Sequence, residues 1–284
     1  MEAPPEIRCA VVGSPIGHSR SPLLHRAAYA ALGLTGWTYD RVELNAADLP
    51  GWLSGLDRSW RGVSVTMPVK QAALAIAETA SDLASTLGAA NTLIRTERGW
   101  HADNTDVPGL LGALGELGAD ATAATSATVI GAGGTASAAV AALAALGQQH
   151  ISVVARDAAR AETLLALVDR LDMTWDLHAW PGSAKSSTPS PLEAELLIST
   201  VPAAAARNLL AHQWRVGQTV LDVTYDPWPT ALVVASRARG ARAIGGATML
   251  LWQAARQIEL MTGRPAPVEA MRAVLLPGGT LARG

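Results

Sequence analysis

The sequence predicts an α/β fold with two domains. Apolar runs of strand length alternate with helical patterns along almost the whole chain, which is typical of layered folds with mainly parallel sheets. A second such alternation starts after Asp106, where a strand, a glycine-rich turn and a helix follow one another. The chain has 284 residues, of which 49% are hydrophobic and 16% charged, so it is long and apolar enough to build two cores.

The first half of the chain contains strands that each precede a helix. Its predicted strands are 7–13, 37–44 and 61–66, and its predicted helices are 21–33, 46–56 and 69–77. Ser21 is the expected N-cap of the first helix, because Pro22 follows it at the position where helices favour proline. A hairpin that turns at 97–99 and a helix over 108–118 complete this half.

A glycine motif opens the second half. The pattern G-x-G-x-x-A stands at Gly131, Gly133 and Ala136, between a strand and a helix, and a second strand follows at 150–156. Such glycines let the backbone turn tightly and approach a pyrophosphate, which rests on the helix N-terminus. The pattern therefore predicts a Rossmann-like, doubly wound dinucleotide-binding domain. Plain packing of the helix on the strand is the alternative explanation for these glycines.

The residues after the second of these strands indicate which dinucleotide binds. An acidic residue at this place holds the ribose 2′-hydroxyl of NAD, whereas a basic residue accommodates the 2′-phosphate of NADP. Arg156 and Arg160 favour NADP, while the carboxylate of Asp157 would repel that phosphate. The sequence thus predicts NADP, and the alternative is that these charges only solvate the start of a helix.

Composition excludes several classes of partner and site. The formal net charge of -2 gives no reason to expect binding to nucleic acid or to a membrane surface. The N-terminus lacks the basic and apolar segments of a signal peptide, and the single cysteine, Cys9, permits no internal disulfide. His18 and His25 have no cysteine or acidic cluster beside them, so we expect no metal. These features predict a soluble cytoplasmic protein.

Lysine is rare in this chain. Only Lys70 and Lys185 are lysines among the 22 Lys and Arg residues, and Lys185 lies in a serine- and proline-rich stretch predicted as a surface loop over 181–191. A lysine can exchange its proton in a suitable environment, whereas a guanidinium effectively cannot. Lys70 is therefore a candidate proton-transfer residue with Asp106 as its partner; chance retention at a helix start is the alternative. The surrounding segments are rich in hydroxyls and amides, which suit a polyol or a hydroxy acid but also commonly cap helices.

Several segments together resemble one enzyme family over nearly the whole chain. They are "GSPIGHSRSPLLH", "VSVTMPVK", "GAANT", "DNTD", "GAGGTA", "DVTYDPWPTALV" and "GGATMLLWQAARQIELMTG", in the order that the shikimate dehydrogenase family shows. The resemblance implies that Lys70 is the catalytic lysine and Asp106 its partner. It implies substrate contacts from Ser19, Ser21, Thr66, Asn91, Tyr225 and Gln253. It also implies cofactor contacts from Gly131, Ala132, Gly133, Gly134, Thr135, Ala136, Ala155, Arg156, Asp157, Arg160, Thr200, Val201, Val223 and Gly246.

The resemblance also implies the domain organisation and the reaction. Residues 1–106 would form the substrate and catalytic domain, 107–245 the NADP-binding domain, and 246–284 C-terminal helices that return to the first domain. The expected activity is that of an oxidoreductase of aromatic amino acid biosynthesis, the reversible reduction of 3-dehydroshikimate to shikimate with NADPH, in a monomer or homodimer. An NAD-linked quinate/shikimate dehydrogenase and a dinucleotide-dependent regulatory binding module are the alternatives.

The chain departs from the family pattern at four places, one of which is Arg26 in place of the polar residue that often follows the histidine. Ser64 replaces the usual asparagine of the lysine motif. Ala155 and Asp157 replace an asparagine and a threonine of the 2′-phosphate loop, and "STVPAAAA" lacks the usual glycine and methionine after its proline. The change at Ala155 and Asp157 bears on the choice of cofactor rather than on the reaction.

Overall fold

The computed structural model describes residues 6–118, 123–180 and 190–275. Contacts divide the chain into two compact units, one formed by Met1–Asp106 with Leu250–Gly284 and the other by Val107–Met249. Most of the surface loop predicted over 181–191, including Lys185, lies outside the described residues. None of the helices in the described ranges has the length and apolarity that crossing a membrane requires.

Strands and helices alternate, as the apolar pattern predicts. The strands are β1 Ile7–Gly13, β2 Trp37–Glu43, β3 Trp60–Val65, β4 Thr79–Ala80, β5 Thr92–Thr96, β6 Gly99–Asp103, β7 Ala127–Ile130, β8 His150–Ala155, β9 Thr174–Ala179, β10 Leu196–Ser199, β11 Thr219–Asp222 and β12 Arg242–Gly245. The helices are α1 Ser21–Ala31, α2 Leu49–Ser54, α3 Lys70–Ile76, α4 Asp82–Leu87, α5 Asp106–Glu116, α6 Gly134–Ala145, α7 Ala158–Arg170, α8 Ala203–Ala206, α9 Ala231–Arg237, α10 Gly246–Thr262 and α11 Val268–Leu275. The predicted hairpin is formed by β5 and β6. The short β4 and α4 were not predicted, because elements of this length show no clear periodicity.

The expected N-cap of α1 is wrong by one residue. Arg20 is the N-cap and its side chain makes no capping bond, while Ser21 is already the first helical residue. The backbone of Arg20 has φ -92° and ψ 0°, so the helical conformation begins before the serine. The backbone N–H of Ser21 instead donates to the hydroxyl of Ser19 at 3.3 Å, so a serine still satisfies one of the first helical donors.

The first unit is built on a six-stranded sheet in the order β2-β1-β3-β5-β6-β4. β1 pairs in parallel with β2 and β3, and β4 pairs in parallel with β6, whereas β5 is antiparallel to both of its neighbours. The sheet is thus mainly parallel, with the hairpin as its antiparallel part. Val63, Val65 and Leu93 on this sheet pack with buried residues of α2 and α3 in one apolar cluster.

The second unit is built on six parallel strands in the order β12-β11-β10-β7-β8-β9. Counted from the first strand of this unit, the order is 6-5-4-1-2-3, which is that of a doubly wound dinucleotide-binding sheet. All residues of β7 and β10 are buried, which is why these strands read as continuous apolar runs rather than alternating ones. The predicted α/β class and the Rossmann-like second unit are confirmed.

Candidate active site

Apart from Gln253 on α10, the candidate substrate residues of the first unit are carried by segments that meet at one edge of its sheet. β1 and β3 run in parallel and end at this edge. β5 is antiparallel to β3, with Thr92 opposite Ser64, so β5 begins where β3 ends. Thr92 is also opposite Asp103 of β6, so β6 ends at the same place. The segments after β1, after β3, before β5 and after β6 are therefore brought together, although they are far apart in the sequence.

Lys70 and Asp106 form an ion pair at this edge. The Nζ of Lys70, the first residue of α3, donates to Oδ2 of Asp106, the first residue of α5. The Nδ2 of Asn91 donates to the other carboxylate oxygen, Oδ1, at 2.8 Å. The Lys70 side chain is 22% exposed and that of Asp106 10%, so the pair is largely shielded from water and the ammonium can still be reached by a ligand. This arrangement offers a cationic proton donor whose position is set by a hydrogen-bonded carboxylate.

Gln253 joins the same group through Thr105. Thr105 Oγ1 lies 3.4 Å from Oε1 of Gln253 and 3.0 Å from Nδ2 of Asn91. Lys70, Asp106, Asn91 and Gln253 are thus connected by hydrogen bonds, and Thr105 is a member of the group that sequence reasoning missed. Its only signal was its position between the polar residues Asn104 and Asp106.

The other three substrate candidates of the first unit lie on the segments after β1 and β3. In the described part of the chain, the hydroxyls of Ser19, Ser21 and Thr66 make no hydrogen bond to the residues connected above, which are Lys70, Asp106, Asn91, Thr105 and Gln253. Thr66 packs closely on the end of β1, since a Cβ atom at Gly13 would clash with its methyl group. The carbonyl of Ser19 accepts from Nε of Arg41 at 2.9 Å, so an arginine of β2 holds this loop. Arg41 was also missed, because nothing in the alternation of β2 distinguishes it from a solvated residue.

The glycine motif of the second unit forms a tight turn after β7. Gly131 has φ +112°, and a Cβ atom there would clash with the side chain of Thr200. Thr200 in turn donates through Oγ1 to the carbonyl of Ile130 at 2.8 Å, which joins the ends of β7 and β10. Gly133 is the N-cap of α6, and neither it nor Gly134 has a heavy atom near the place of a Cβ. Ala132 lies in this turn, and Thr135 and Ala136 lie in the first turn of α6.

Asp157 is engaged by its own helix. It is the N-cap of α7, where Oδ1 accepts from the backbone N–H of Ala159 at 3.0 Å, and its Oδ2 lies 3.8 Å from Nε of Arg160. Ala155 ends β8, and Arg156, which follows it, is exposed and has no ion pair or hydrogen bond within the described ranges. Part of the repulsion expected from Asp157 is therefore offset, since the carboxylate serves as a helix cap beside a guanidinium.

The end of β11 positions the remaining candidates. The carbonyl of Val223 lies so close to Gly246 that a Cβ atom there would overlap it, so α10 can begin at this place only with glycine. Val201 approaches the same segment, because its carbonyl accepts from Thr224 Oγ1 at 3.4 Å. Tyr225 lies in the loop that follows β11.

Asp222 is a further residue that sequence reasoning missed in this region. It is fully buried at the end of β11 and accepts from the N–H of Thr224 at 3.2 Å and from Oγ1 of Thr230 at 2.8 Å. Burial raises the pKa of the Asp222 carboxyl, against the effect of the donors from these two threonines. The two hydrogen bonds tie both ends of the loop that carries Tyr225. An acidic residue at the end of a buried strand was the signal that could have found it.

Comparison with known proteins finds two family models in separate parts of the chain and relatives that match most of its length. A family model described as "Shikimate dehydrogenase substrate binding domain" matches residues 11–93, and one described as "Shikimate 5'-dehydrogenase C-terminal domain" matches residues 246–276. A shikimate dehydrogenase (NADP(+)) of Methylobacterium radiotolerans is 39% identical over 283 residues, which cover 93% of this chain and 95% of the relative.

Solved structures agree with this result. The crystal structure of Mycobacterium tuberculosis shikimate dehydrogenase is 47% identical, with a TM-score of 0.84 over 95% of this chain and 98% of that chain. The shikimate 5-dehydrogenase of Thermus thermophilus, in complex with NADP(H) and shikimate, is 30% identical, with a TM-score of 0.77 over 95% of this chain and 98% of that chain. The chain, with a lysine–aspartate pair in one unit and a doubly wound sheet in the other, belongs to the shikimate dehydrogenase family.

Proposed function

We propose that this chain is an NADP-dependent shikimate dehydrogenase, which catalyses the reversible reduction of 3-dehydroshikimate to shikimate. The observation that carries the proposal is the Lys70 ammonium held on Asp106 at a partly open sheet edge. Relatives that share most of the chain are named shikimate dehydrogenase (NADP(+)), which supports both the reaction and the cofactor.

Lys70 handles the proton in this reaction. NADPH, when bound, supplies the hydride that reduces the ketone. Lys70 stabilises the negative charge that develops on the ketone oxygen and donates a proton to it, and in the direction of oxidation it takes this proton back. Asp106 holds the ammonium in place and accepts a hydrogen bond from a substrate hydroxyl. General acid–base assistance of this kind contributes about 10²–10⁴-fold to the rate.

Hydroxyl and amide groups bind the rest of the substrate. Ser19 and Ser21 are short donors on one loop, and they hold the substrate carboxylate. The remaining substrate contacts come from Thr66, Asn91, Tyr225 and Gln253. The orientation that such groups give to the substrate lowers the barrier further, because the reacting atoms are held in place before reaction.

The second unit fits NADP. The open space beside Gly133 and Gly134 leaves room for a pyrophosphate at the N-terminus of α6, whose first turn carries no acidic residue. Arg156 and Arg160 hold the 2′-phosphate, beside Ala155 and Asp157. The turn residues Gly131, Ala132, Thr135 and Ala136 complete the phosphate loop. Thr200, Val201, Val223 and Gly246 are the proposed contacts for the nicotinamide end.

An absorbance assay at the nicotinamide band tests the proposal, with shikimate or quinate as substrate and NADP or NAD as cofactor. We expect the highest catalytic efficiency with shikimate and NADP, and its loss in Lys70→Ala. The NAD-linked alternative predicts equal or higher efficiency with NAD. If no combination is turned over while NADP still binds in a fluorescence titration, the regulatory binding module is correct and the enzyme proposal is wrong.

Two further expectations from the sequence belong to this proposal. The protein is proposed to act in the cytoplasm and to be a monomer or homodimer. Size-exclusion chromatography with light scattering tests the oligomeric state, and a larger assembly would contradict it.

A further inference from the structure

A continuous series of hydrogen bonds leads from the interior of the first unit to Asp106. Tyr39 Oη donates to Ser64 Oγ at 2.6 Å, Ser64 Oγ donates to Gln257 Oε1 at 2.8 Å, and Gln257 Nε2 donates to Thr92 Oγ1 at 2.9 Å. Thr92 Oγ1 then donates to Asn91 Oδ1 at 2.8 Å, and Asn91 Nδ2 donates to Asp106 Oδ1 at 2.8 Å. All five donating residues are buried. We call this series the Tyr39–Asp106 chain.

Two backbone groups determine the direction of the Tyr39–Asp106 chain. The carbonyl oxygen of Asn91 can only accept, so the Gln257 atom that lies 3.2 Å from it must be Nε2. Gln257 Oε1 therefore faces Ser64, and it lies 3.3 Å from Nε2 of His25 as well. With both ends of its amide engaged, Gln257 cannot turn over without leaving buried donors and acceptors unpaired.

The second backbone group acts on the side chain of Asn91. The N–H of Thr105 can only donate, so the Asn91 atom at 2.7 Å from it must be Oδ1. The Nδ2 of Asn91 is therefore the group that faces Asp106. Thr92 Oγ1 already accepts from Gln257, so its proton is directed to Asn91 Oδ1. Every hydroxyl and amide of the series thus donates toward the carboxylate.

We propose that Gln257 and Thr92 are positioning residues for the Lys70–Asp106 pair. They hold the Asn91 amide with its N–H on Asp106, and Asp106 in this orientation holds the Lys70 ammonium. If the amide of Asn91 turned over, its carbonyl oxygen would face the carboxylate, which is repulsive. Successive hydrogen bonds of one direction also polarise one another, so a donor far from Asp106 still strengthens the last bond. The inference rests on the proposed function for its effect on turnover.

The Tyr39–Asp106 chain also explains one departure from the family pattern. Ser64, which stands in place of an asparagine, links the Tyr39 hydroxyl to Gln257. Gln257 lies on α10 and reaches the first sheet across 166 residues of sequence, to the carbonyl of Asn91. An amide supplied by α10 thus contacts the strands beside the candidate site.

Variants of Thr92 test the proposal. Thr92→Val keeps the shape of the side chain and removes the hydroxyl, whereas Thr92→Ser keeps the hydroxyl. Asn91 Oδ1 retains the bond from Thr105 in both variants, so the effect of the valine is partial. We expect Thr92→Val to lower kcat with shikimate and NADP about threefold to tenfold, which corresponds to one ordinary hydrogen bond, with KM for NADP unchanged. Thr92→Ser should restore the wild-type value.

Thr128→Val is the matched control for the loss of a buried threonine hydroxyl. Thr128 is also fully buried in a strand, and its Oγ1 donates to the carbonyl of Pro191 at 2.6 Å in the second unit. This variant should lose stability without a change in kcat. An equal fall of kcat in Thr128→Val would overturn the proposal, because it would show a general effect of a lost buried hydroxyl.

A second measurement does not depend on turnover. The chain has two lysines, Lys70 and Lys185, so acylation of the protein by acetic anhydride followed by mass spectrometry reports Lys70 against an internal reference. Acylation requires that the reagent reach the Lys70 nitrogen, and the contact with Asp106 restricts this access. We expect the ratio of Lys70 to Lys185 acylation to rise severalfold in Thr92→Val and in Gln257→Glu, and to stay at the wild-type value in Thr92→Ser and Thr128→Val.

The two readouts separate the two proposals. A raised acylation ratio in a protein that never turns over shikimate would support the positioning role and overturn the proposed function. A wild-type ratio and a wild-type kcat in Thr92→Val would overturn the positioning role and leave the proposed function intact.

Discussion

The role of a charged residue in this chain depends on the hydrogen bonds and ion pairs that its neighbours make with it. Lys70 donates to Asp106, and Asp106 is held from its other side by Asn91. The α-helices that start at Lys70 and Asp106 place the two side chains at the same sheet edge. Asp157 shows the same dependence, since it caps α7 and lies beside Arg160. The role of each charge therefore depends on which neighbours satisfy it.

Replacement of Lys70 should abolish most of the turnover. We expect Lys70→Ala to lower kcat by about 10²–10⁴-fold with a much smaller effect on shikimate binding. Lys70→Arg should not restore it, because a guanidinium keeps the charge and effectively never releases its proton. Steady-state kinetics and a binding titration measure both effects, with Lys185→Arg as the control for the loss of a lysine. Near-normal turnover in Lys70→Arg would show that Lys70 has no part in proton transfer.

Replacement of Arg156 should change the choice of cofactor. We expect Arg156→Ala to weaken NADP binding by roughly 1.5–3 kcal/mol, the contribution of a hydrogen bond to a charged group, with little effect on NAD. Asp157→Asn is the matched variant, because asparagine caps a helix as well as aspartate does and removes the charge near the phosphate. It should tighten NADP binding. Equal efficiency of the unmutated protein with NADP and NAD would contradict this assignment.

Whole elements are held together in the first unit by buried polar contacts. His25 on α1 is fully buried, and its ring stacks on that of Tyr39 with centroids 3.9 Å apart. Its Nε2 lies 3.3 Å from Oε1 of Gln257, so the histidine joins α1 to α10. Burial lowers the pKa of His25 to about 3, because a charged imidazole would lose its hydration.

The buried His25, which joins α1 to α10, should make the free energy of unfolding depend on pH. The unfolded chain takes up a proton on His25 near its ordinary pKa of about 6.5, and the folded chain does so only near 3. Between these values the unfolded state binds more protons, so stability rises with pH and is fully present above about pH 6.5. The slope within this window approaches about 1.4 kcal/mol per pH unit.

Urea unfolding between about pH 7.5 and 5 measures this slope above the range in which most carboxylates titrate. We expect His25→Gln to flatten the curve, because glutamine has no group that titrates there. His18→Gln, which changes an exposed histidine in the loop before α1, is the matched control. A curve of unchanged slope in His25→Gln would show that His25 is not the group responsible.

At the scale of the whole molecule, each unit carries its own sheet and its own group of candidate residues. The first unit carries Lys70 with most of the hydroxyl and amide candidates, and the second carries the glycine turn and the arginines after β8. Tyr225 is a substrate candidate that belongs to the second unit.

The proposed set of substrate contacts should favour shikimate over quinate. Shikimate has a planar C1 that bears its carboxylate, whereas quinate has a tetrahedral C1 with an additional hydroxyl. The proposed ligands include no further polar group for that hydroxyl, and leaving it buried without a partner costs about 1–3 kcal/mol, or roughly tenfold to hundredfold in efficiency. Catalytic efficiency with each substrate at saturating NADP is the measurement. Comparable values for both would instead support the quinate/shikimate alternative.

The sequence by itself determined the α/β class of the fold and many of its elements. The glycine requirement at Gly131 and the apolar run of β7 are local properties, which act among residues a few positions apart. They predicted a strand, a turn and a helix, and the structure has them. The cap of α1 was predicted wrongly, because the choice between Arg20 and Ser21 depends on one pair of backbone dihedrals. A residue pattern does not record such a detail.

Only the tertiary structure decided which groups of the candidate site meet. Residue chemistry was enough to name Lys70 and Asp106 as candidates and the family resemblance added Asn91, but neither showed that Asn91 donates to Asp106. That contact follows from the antiparallel register of β5, and the role of Gln257 follows from the return of α10 to the first sheet. Neither leaves a periodic signal, because buried donors and acceptors must be paired with whatever the folded chain brings beside them, at any separation in the sequence.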